Sequence, residues 1–352
     1  MLISTDIIGW YGGAADVLRK SILTECQLEP SQLFLSAIHT HSAPSLTYDP
    51  AKGHSNNFAY SKTLEQKLLH LVKNALSATQ PVQMSFGSGA SPVGASRRQI
   101  TQDEHGNRKT VLGRNPTAPV DHEVQVLKLS MVGSQVPAAV LFSYPSHSTS
   151  LGPQNYIISG DVHGLAEQFV ERYFGGQALT AGFAGTSGDI DPWYRTRPEF
   201  KTTNGWVPEP VLLGTLLGEE VAQVVEQNLK SASNCTVKTA FEAVELPGKP
   251  KTEGAPPGTA TLNITVARVG SVAFVGLGGE VFNEIGQKIK KDSPFPCTFI
   301  MTHCNGAAGY LPTQPSYAEG GYEVQSSPFA PGAAELIPQH VARLLASLGA
   351  DE

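Results

Sequence analysis

The sequence is short of charge and of cysteine, and each shortage excludes a class of protein. Charged residues make up 16% of the 352-residue chain, against 40% hydrophobic residues, and the formal net charge is −6. Since lysine and arginine form no cluster, the chain lacks the basic surface on which nucleic-acid binding depends. The composition instead indicates a well-buried globular protein, whose length allows one large or two medium domains. Of these two, we interpret residues 1–352 as a single domain.

Long apolar runs and a secretion signal are missing as well. No run approaches the roughly 20 residues that span a bilayer, so we expect no transmembrane segment. The N-terminal sequence, MLISTDIIGW, has no basic region and no clean signal-peptide core, from which we expect a cytoplasmic protein. The four cysteines show no C-x-x-C spacing, which favours free thiols in a reducing compartment, although a disulfide between Cys297 and Cys304 stays open.

Strand and helix patterns alternate along the chain and predict an α/β fold with a mixed β-sheet core covered by helices. Residues 2–8, 14–25 and 33–38 read as a strand–helix–strand unit. Further helices are predicted at 64–76, 161–174, 212–229 and 333–348, and further strands at 82–87, 123–131, 138–144, 178–183, 261–268, 271–277 and 297–302. Residues 42–60 and 89–121 have little periodicity and are predicted as loops, the second with a hairpin turn at 103–106.

The most informative stretch is LFLSAIHTHSAP at 33–44, where an apolar run ends in His39 and His41. In an extended chain, residues i and i+2 point to the same side, so both imidazoles would project together from a strand end. Imidazole is a common zinc ligand, and a zinc site needs three or four ligands. A short H-x-H also occurs by chance, so the pair predicts a metal site only if further ligands occur in a similar setting.

Other candidate residues do share this setting, because each follows a predicted strand. They are His147, Asp189, Asp191, Glu280 and Tyr310. In α/β sheets, sites gather beyond the carboxyl ends of strands, so we predict one metal site there. Taken singly, each residue also has a structural explanation: a surface histidine, turn-forming aspartates, a helix-capping glutamate and a packed tyrosine.

In order along the chain, these motifs resemble the catalytic domain of neutral (non-lysosomal) ceramidases. ISTDIIG at 3–9 resembles the first family motif, and IHTHSAP at 38–44 resembles T-H-T-H-S-G-P. SHSTSLGPQNYIISGDVHG at 146–164 resembles H-P-T-S-M followed by S-G-D-N-K-G, and VGSVAFVGLGGE at 269–280 resembles the strand that delivers a metal-binding Glu. The resemblance implies zinc ligands at His39, His147, Glu280 and Tyr310, and catalytic roles for His41, Arg97 and Tyr322.

The chain also departs from the family pattern. GDIDP places Asp191 where the family has the nucleophilic serine of G-D-V-S-P. We also expect the C-terminal immunoglobulin-like domain to be absent after the helix near Leu348, and the first family strand to be absent before Met1.

These residues lead to a hypothesis of a zinc-dependent hydrolase that cleaves an amide (N-acyl, ceramide-like) bond with metal-activated water. Asp191 would orient that water or take its proton, and His41 would protonate the leaving group. Arg97 and Tyr322 would stabilise the oxyanion. In a second version, Asp191 forms another metal site with Asp189.

Two other functions stay open. One is an esterase or lactonase acting on a small non-lipid substrate. The other is a non-catalytic, zinc-stabilised binding protein, against which the presence of His41, Arg97 and Tyr322 argues, because they serve chemistry and not metal holding. The expected partner is a small-molecule or lipid-like acyl substrate, and the ligand types would also suit iron or manganese.

Overall fold

The computed structural model describes residues 1–196, 207–232, 236–252 and 254–349. The α-helices are α1 (Ala14–Cys26), α2 (Ser55–Ser77), α3 (Asp161–Tyr173), α4 (Glu209–Gln227), α5 (Asn283–Asp292), α6 (Gln314–Glu319), α7 (Tyr322–Ser326) and α8 (Ile337–Ser347). The first strands are β1 (Leu2–Thr5), β2 (Phe34–Ala37), β3 (Val82–Ala90), β4 (Gly94–Gln102), β5 (Arg108–Asn115), β6 (Glu123–Met131), β7 (Pro137–Tyr144) and β8 (Leu179–Ala184). The later ones are β9 (Ile190–Pro192), β10 (Lys230–Ser231), β11 (Val237–Gly248), β12 (Gly258–Val269), β13 (Val272–Leu277), β14 (Glu280–Val281), β15 (Cys297–Met301) and β16 (Tyr310–Leu311).

Two mixed sheets pack face to face between outer helices, giving four layers. The larger has the order β10-β3-β6-β7-β8 and the smaller β11-β12-β13-β15. The parallel pair β1–β2 packs beside β8, where Ser4 Oγ donates to the Gly182 carbonyl at 2.6 Å. The fold class predicted from the sequence, a mixed sheet core covered by helices, is therefore confirmed.

The layering follows from the period-2 alternation of apolar side chains along buried strands. On β13, Ala273 and Val275 face α5 and α8, while Val272 and Phe274 face the other sheet. The large sheet turns its opposite face to α3 and α4. Because both faces of β13 are covered, it reads as a continuous apolar run.

Residues 89–121 were predicted as a loop, and this was wrong. Most of the segment forms the hairpin β4–β5, whose turn lies at the predicted 103–106. Both strands carry many polar residues that face a site or solvent, so the apolar alternation that signals a strand is absent. The consequence is functional, because Arg97 lies on a buried strand and not on a mobile loop.

Several element boundaries also differ from the predictions. Helix α2 begins at Ser55, inside the stretch predicted as loop. The prediction missed this start because the first two turns are largely polar and exposed. Strand β11 was missed, and its first seven residues are only partly buried or exposed. Such boundaries depend on packing partners that local pattern does not contain.

The structure shows the state of three of the four cysteines and bears on the membrane prediction. Cys26, Cys297 and Cys304 are free, so the Cys297–Cys304 alternative is wrong, and Cys235 lies outside the described residues. Burial raises the pKa of the Cys297 thiol to about 12.

Among the described helices, none combines the length and apolarity required to cross a membrane.

Candidate active site

Three side chains of metal-ligating type converge in the buried interior beyond the strand ends. The Nε2 atoms of His39 and His147 each lie 3.5 Å from Glu280 Oε2, and the three ligand atoms lie within 4.8 Å of one another. Their exposed fractions are 2%, 0% and 5%. Glu280 Oε2 is buried without a hydrogen-bond donor in the described chain, an arrangement that costs free energy unless a cation fills it. These two imidazoles and one carboxylate could therefore hold a metal ion.

The outer atoms of these ligands are already held by the protein. His39 Nδ1 lies 2.5 Å from the Ile8 carbonyl and His147 Nδ1 lies 2.9 Å from the Ile190 carbonyl. With the proton on Nδ1, each ring donates to the carbonyl and turns the lone pair of Nε2 toward the shared centre. The Tyr11 hydroxyl donates to Glu280 Oε1 at 2.7 Å, which orients the carboxylate and leaves Oε2 facing the histidines.

The two histidines of the H-x-H come together for a different reason from the one predicted. Strand β2 ends at Ala37, and His39 has a φ of 61°, so the chain there is not extended. Even so, His41 Nε2 lies 3.4 Å from His39 Nε2. A non-glycine residue in the left-handed region is strained, and such strain clusters at functional sites.

Tyr310 lies beside Glu280 because their short strands pair in parallel. The register of β14 and β16 places Glu280 opposite Tyr310. Burial and the Glu280 carboxylate raise the pKa of the Tyr310 hydroxyl above its usual range. The role of Tyr310 as a fourth metal ligand stays a prediction, and its position next to the carboxylate is compatible with that role.

Arg97 is buried at the centre of the site, with 5% of its side chain exposed. A guanidinium has five N–H donors, and here every one has an acceptor within hydrogen-bond distance. The acceptors are Glu323 Oε1 (2.7 Å) for Nε, His147 Nε2 (3.1 Å) and Asp191 Oδ1 (3.3 Å) for Nη1, and the Gly188 carbonyl (2.9 Å) and Tyr310 hydroxyl (3.0 Å) for Nη2. Arg97 therefore ties two of the predicted metal ligands to two carboxylates.

Asp191 lies on β9 and is contacted by three guanidinium groups. Its Oδ1 faces Arg97, and its Oδ2 lies 3.3 Å from Arg114 Nη1 and 2.5 Å from Arg195 Nη2. Burial alone would raise the pKa of Asp191, but the arginines, Arg97 foremost, hold it at about 2. Asp191 is consequently a permanent anion and a weak proton acceptor.

Asp189 is hydrogen-bonded to the backbone at the start of α5. Its carboxylate accepts the backbone N–H of Asn283 at 2.8 Å, and burial raises its pKa to about 6. Within the described residues, the group that could hold a metal consists of His39, His147 and Glu280. The version of the hypothesis with a second metal site has no support in this geometry.

His41 and Tyr322 form the solvent-facing side of the site. His41 is an exposed residue, and 47% of Tyr322 is accessible. The Tyr322 ring meets the Tyr310 ring edge to face at 5.6 Å between centroids. Its hydroxyl has no hydrogen-bond partner in the described part of the chain, so it is available to a ligand.

Sequence reasoning missed three residues of this site. His303 stacks on His39 with ring centroids 3.9 Å apart, and burial lowers the pKa of His303 to about 4. Tyr11 and the buried Glu323 were missed as well, although they hold Glu280 and Arg97. A usable signal existed for two of them, because His303 and Tyr11 each follow a strand, as the recognised ligands do.

Gly188 allows the chain segments that carry Asp191 and Glu280 to approach each other. A Cβ at this position would lie 2.5 Å from the Glu280 carbonyl oxygen and 3.0 Å from the Glu280 carbonyl carbon. Gly188 N–H also donates to the Val281 carbonyl at 2.9 Å. Only glycine fits against this backbone without displacing it.

An α/β fold that gathers two imidazoles and a carboxylate beyond its strand ends belongs to the class of proteins with a buried site able to hold a metal. The family model of the neutral/alkaline non-lysosomal ceramidase N-terminal domain matches residues 16–197. Because this match covers just over half of the chain, the protein belongs to that family.

Two solved structures have a similar fold. Neutral ceramidase from Pseudomonas aeruginosa has a TM-score of 0.76 at 16% identity, over 98% of this chain and 65% of that one. A ceramidase complexed with C2 has a TM-score of 0.75 at 16% identity, over 98% of this chain and 66% of that one. At such identity the likeness concerns the fold, and this chain spans about two thirds of the length of either. No curated protein sequence matches the chain.

Proposed function

We propose that this protein is a zinc-dependent hydrolase that cleaves a linear amide bond of an N-acyl, ceramide-like substrate by addition of water. The observation that carries the proposal is the convergence of His39 Nε2, His147 Nε2 and the unpartnered Glu280 Oε2 in the buried interior. Tyr310 would complete the ligand set. Zinc bound there would polarise the scissile carbonyl and make a water molecule more acidic.

Residues of the protein would transfer the proton and stabilise the oxyanion. His41, on the open side and 3.4 Å from His39, would take a proton from the attacking water and return it to the leaving amine nitrogen. The Tyr322 hydroxyl would donate to the developing oxyanion, because it has no competing partner among the described residues. The products are a carboxylic acid and an amine.

Arg97 and Asp191 are better suited to positioning than to the roles expected from the sequence. Four of the five N–H groups of Arg97 have oxygen acceptors that a metal on His147 Nε2 would leave in place, so Arg97 is held mainly as a support. Both carboxylate oxygens of Asp191 already accept from arginine N–H groups, so taking a proton from water would disrupt these ion pairs. Arg97 would keep the Tyr310 hydroxyl in place, and Asp191 would keep Arg97 in place.

Metal content is the first test. Elemental analysis of purified protein should find about one zinc per chain, and both His39→Ala and Glu280→Ala should lose it, since a site left with fewer ligands binds poorly. His105→Ala is the matched control, because the His105 side chain is 75% exposed on a hairpin turn. Wild-type protein that stays metal-free in excess zinc would refute the proposal.

Substrate class is the second test. Zinc-loaded protein would be assayed with a ceramide, simple N-acyl amides, matched esters and lactones. Amide cleavage that disappears in His41→Ala, with zinc retained, supports the proposal. Cleavage of esters or lactones alone would favour the small-ester hydrolase, and zinc without any hydrolysis would favour the binding protein.

A further inference from the structure

Three arginines contact Asp191, but they differ in how completely their donors are used. Arg97 has an acceptor for each N–H and a second carboxylate, Glu323, at 2.7 Å. Arg114 and Arg195 have Asp191 as their one ion-pair partner among the described residues, and both use the same atom, Oδ2. A single carboxylate oxygen therefore serves two guanidinium groups.

Unused donors remain on both of these arginines. Arg114 donates from Nε to the Trp193 carbonyl and from Nη1 to the Gly113 carbonyl and to Asp191. Its Nη2 has no acceptor in the described chain. Arg195 donates only from Nη2, to Asp191 Oδ2, among the described residues. Its Nε is buried with no hydrogen-bond partner there, a state that costs free energy unless a ligand satisfies it.

Arg114 and Arg195 carry two positive charges but share the single negative charge of Asp191. Repulsion from Arg195 and Arg97 adds to burial in lowering the pKa of Arg114, so the three cations oppose one another across one anion. The side chains of Arg114 and Arg195 are 23% and 37% exposed, so a solute can reach them. A second anion here would relieve the repulsion and take up the free N–H groups.

The pair lies close to the proposed reaction centre. Asp191 Oδ2 contacts Arg114 and Arg195, while Oδ1 of the same carboxylate lies 3.3 Å from Arg97 Nη1. That Nη1 is in turn 3.1 Å from His147 Nε2. A group held by the outer arginines would thus be separated from the metal site by one carboxylate and one guanidinium.

We propose that Arg114 and Arg195 form a carboxylate-binding subsite, and that the hydrolysed amide carries a carboxylate within a few bonds of its scissile carbonyl, as an N-acyl amino acid does. This inference rests on the proposed amide hydrolysis and names its substrate class. A planar guanidinium pair matches a carboxylate better than it matches the neutral hydroxyls of a ceramide. Asp191 then serves as the fixed counter-ion that keeps both arginines in place between turnovers.

The test compares two substrates that differ in one group. N-hexanoylglycine and N-hexanoylethanolamine have the same acyl chain and amide, with a carboxylate in the first and a hydroxymethyl in the second. With zinc-loaded wild-type protein, kcat/KM should be at least about tenfold higher for N-hexanoylglycine. Arg114→Gln and Arg195→Gln should each lower that value, mainly through KM, about tenfold more than they lower kcat/KM for N-hexanoylethanolamine.

Arg108→Gln is the matched control, because Arg108 lies on the same strand as Arg114, is 65% exposed and contacts only Glu319 in the described chain. It should leave both substrates unaffected. Arg195→Gln provides the cleaner variant, since Arg195 makes fewer contacts that support the fold. Equal losses for the acid and the neutral amide, or no loss in either variant, would overturn the subsite while leaving amide hydrolysis standing.

A binding measurement separates the two proposals if neither amide is cleaved. Titration calorimetry of N-hexanoylglycine into the same protein would still report on the subsite. Binding that weakens about tenfold in both glutamine variants supports the carboxylate site although hydrolysis has failed. Absence of binding at millimolar concentration would refute it.

Discussion

Replacing Arg97 by methionine should destabilise the protein and weaken its metal site together. Methionine keeps most of the volume of the side chain but removes five donors and a charge. Two carboxylates that are each only 1% exposed, Asp191 and Glu323, lose a guanidinium at 3.3 and 2.7 Å. Breaking a buried ion pair in this way typically costs about 3–5 kcal/mol.

The expected loss lies at the lower end of that range. Glu323 retains Arg98 at 2.8 Å, and Asp191 retains Arg114 and Arg195. We therefore expect the free energy of unfolding to fall by about 3 kcal/mol, out of roughly 5–15 kcal/mol for a typical protein. Because the Tyr310 hydroxyl, the predicted fourth ligand, loses its donor, zinc affinity should also fall by about 10- to 100-fold.

Two assays on one preparation check this prediction. Urea unfolding of the metal-free protein gives the free energy, and titration against a zinc-competing chelator gives the affinity. Arg108→Met is the control, with an expected change of at most about 0.5 kcal/mol because its single ion pair is exposed and 3.8 Å long. A loss below about 1 kcal/mol with unchanged zinc affinity would refute the central role given to Arg97.

Three further predictions concern Tyr11, Gly188 and Glu167. Tyr11→Phe removes the hydroxyl that orients the Glu280 carboxylate, so zinc affinity should drop about 10- to 100-fold in the chelator titration, and an unchanged value would exclude that orienting role. Gly188→Ala places a Cβ 2.5 Å from a backbone oxygen, so the free energy of unfolding should fall by about 1–3 kcal/mol in urea, whereas a neutral result would mean that the strand moves freely. Burial, and then repulsion by Asp6, raise the pKa of Glu167 to about 8, above the unfolded value of 4.5, so its contribution to stability is complete at acidic pH and is lost as pH rises from about 4.5 to 8. Glu167→Gln should therefore raise the melting temperature at pH 8 more than at pH 5, unlike Glu171→Gln one turn along the same helix, and equal shifts at both pH values would contradict the assignment.

The strand-end argument predicted much of the site because it uses a property of the fold class and not of individual contacts. Apolar runs locate the strands, and in α/β proteins the polar residues that follow them gather on one edge. His39, His147 and Glu280 satisfy this rule and converge. The rule also applies to His303, which follows β15 but lies outside the motifs that resemble the family pattern.

Functional roles were harder to predict than positions. Whether Arg97 is a catalytic donor or a support depends on how many of its five N–H groups are already bonded, and those acceptors are spread from residue 147 to residue 323. Likewise, the chemistry of Asp191 is set by three arginines brought together from β4, β5 and the chain after β9. No local pattern encodes these distances.

By itself, the sequence determined the α/β class, the position of the ligand-type residues after buried strands, and the replacement of a serine by Asp191 within a recognisable motif. These follow from periodicity and from residue types that are adjacent in the chain. Only the tertiary structure decided that Tyr11 supports a carboxylate 269 residues away, and that β4 pairs with β9 so that Arg97 meets Asp191. The physical reason is that hydrogen bonds and ion pairs act over about 3 Å in space, whatever the separation along the chain.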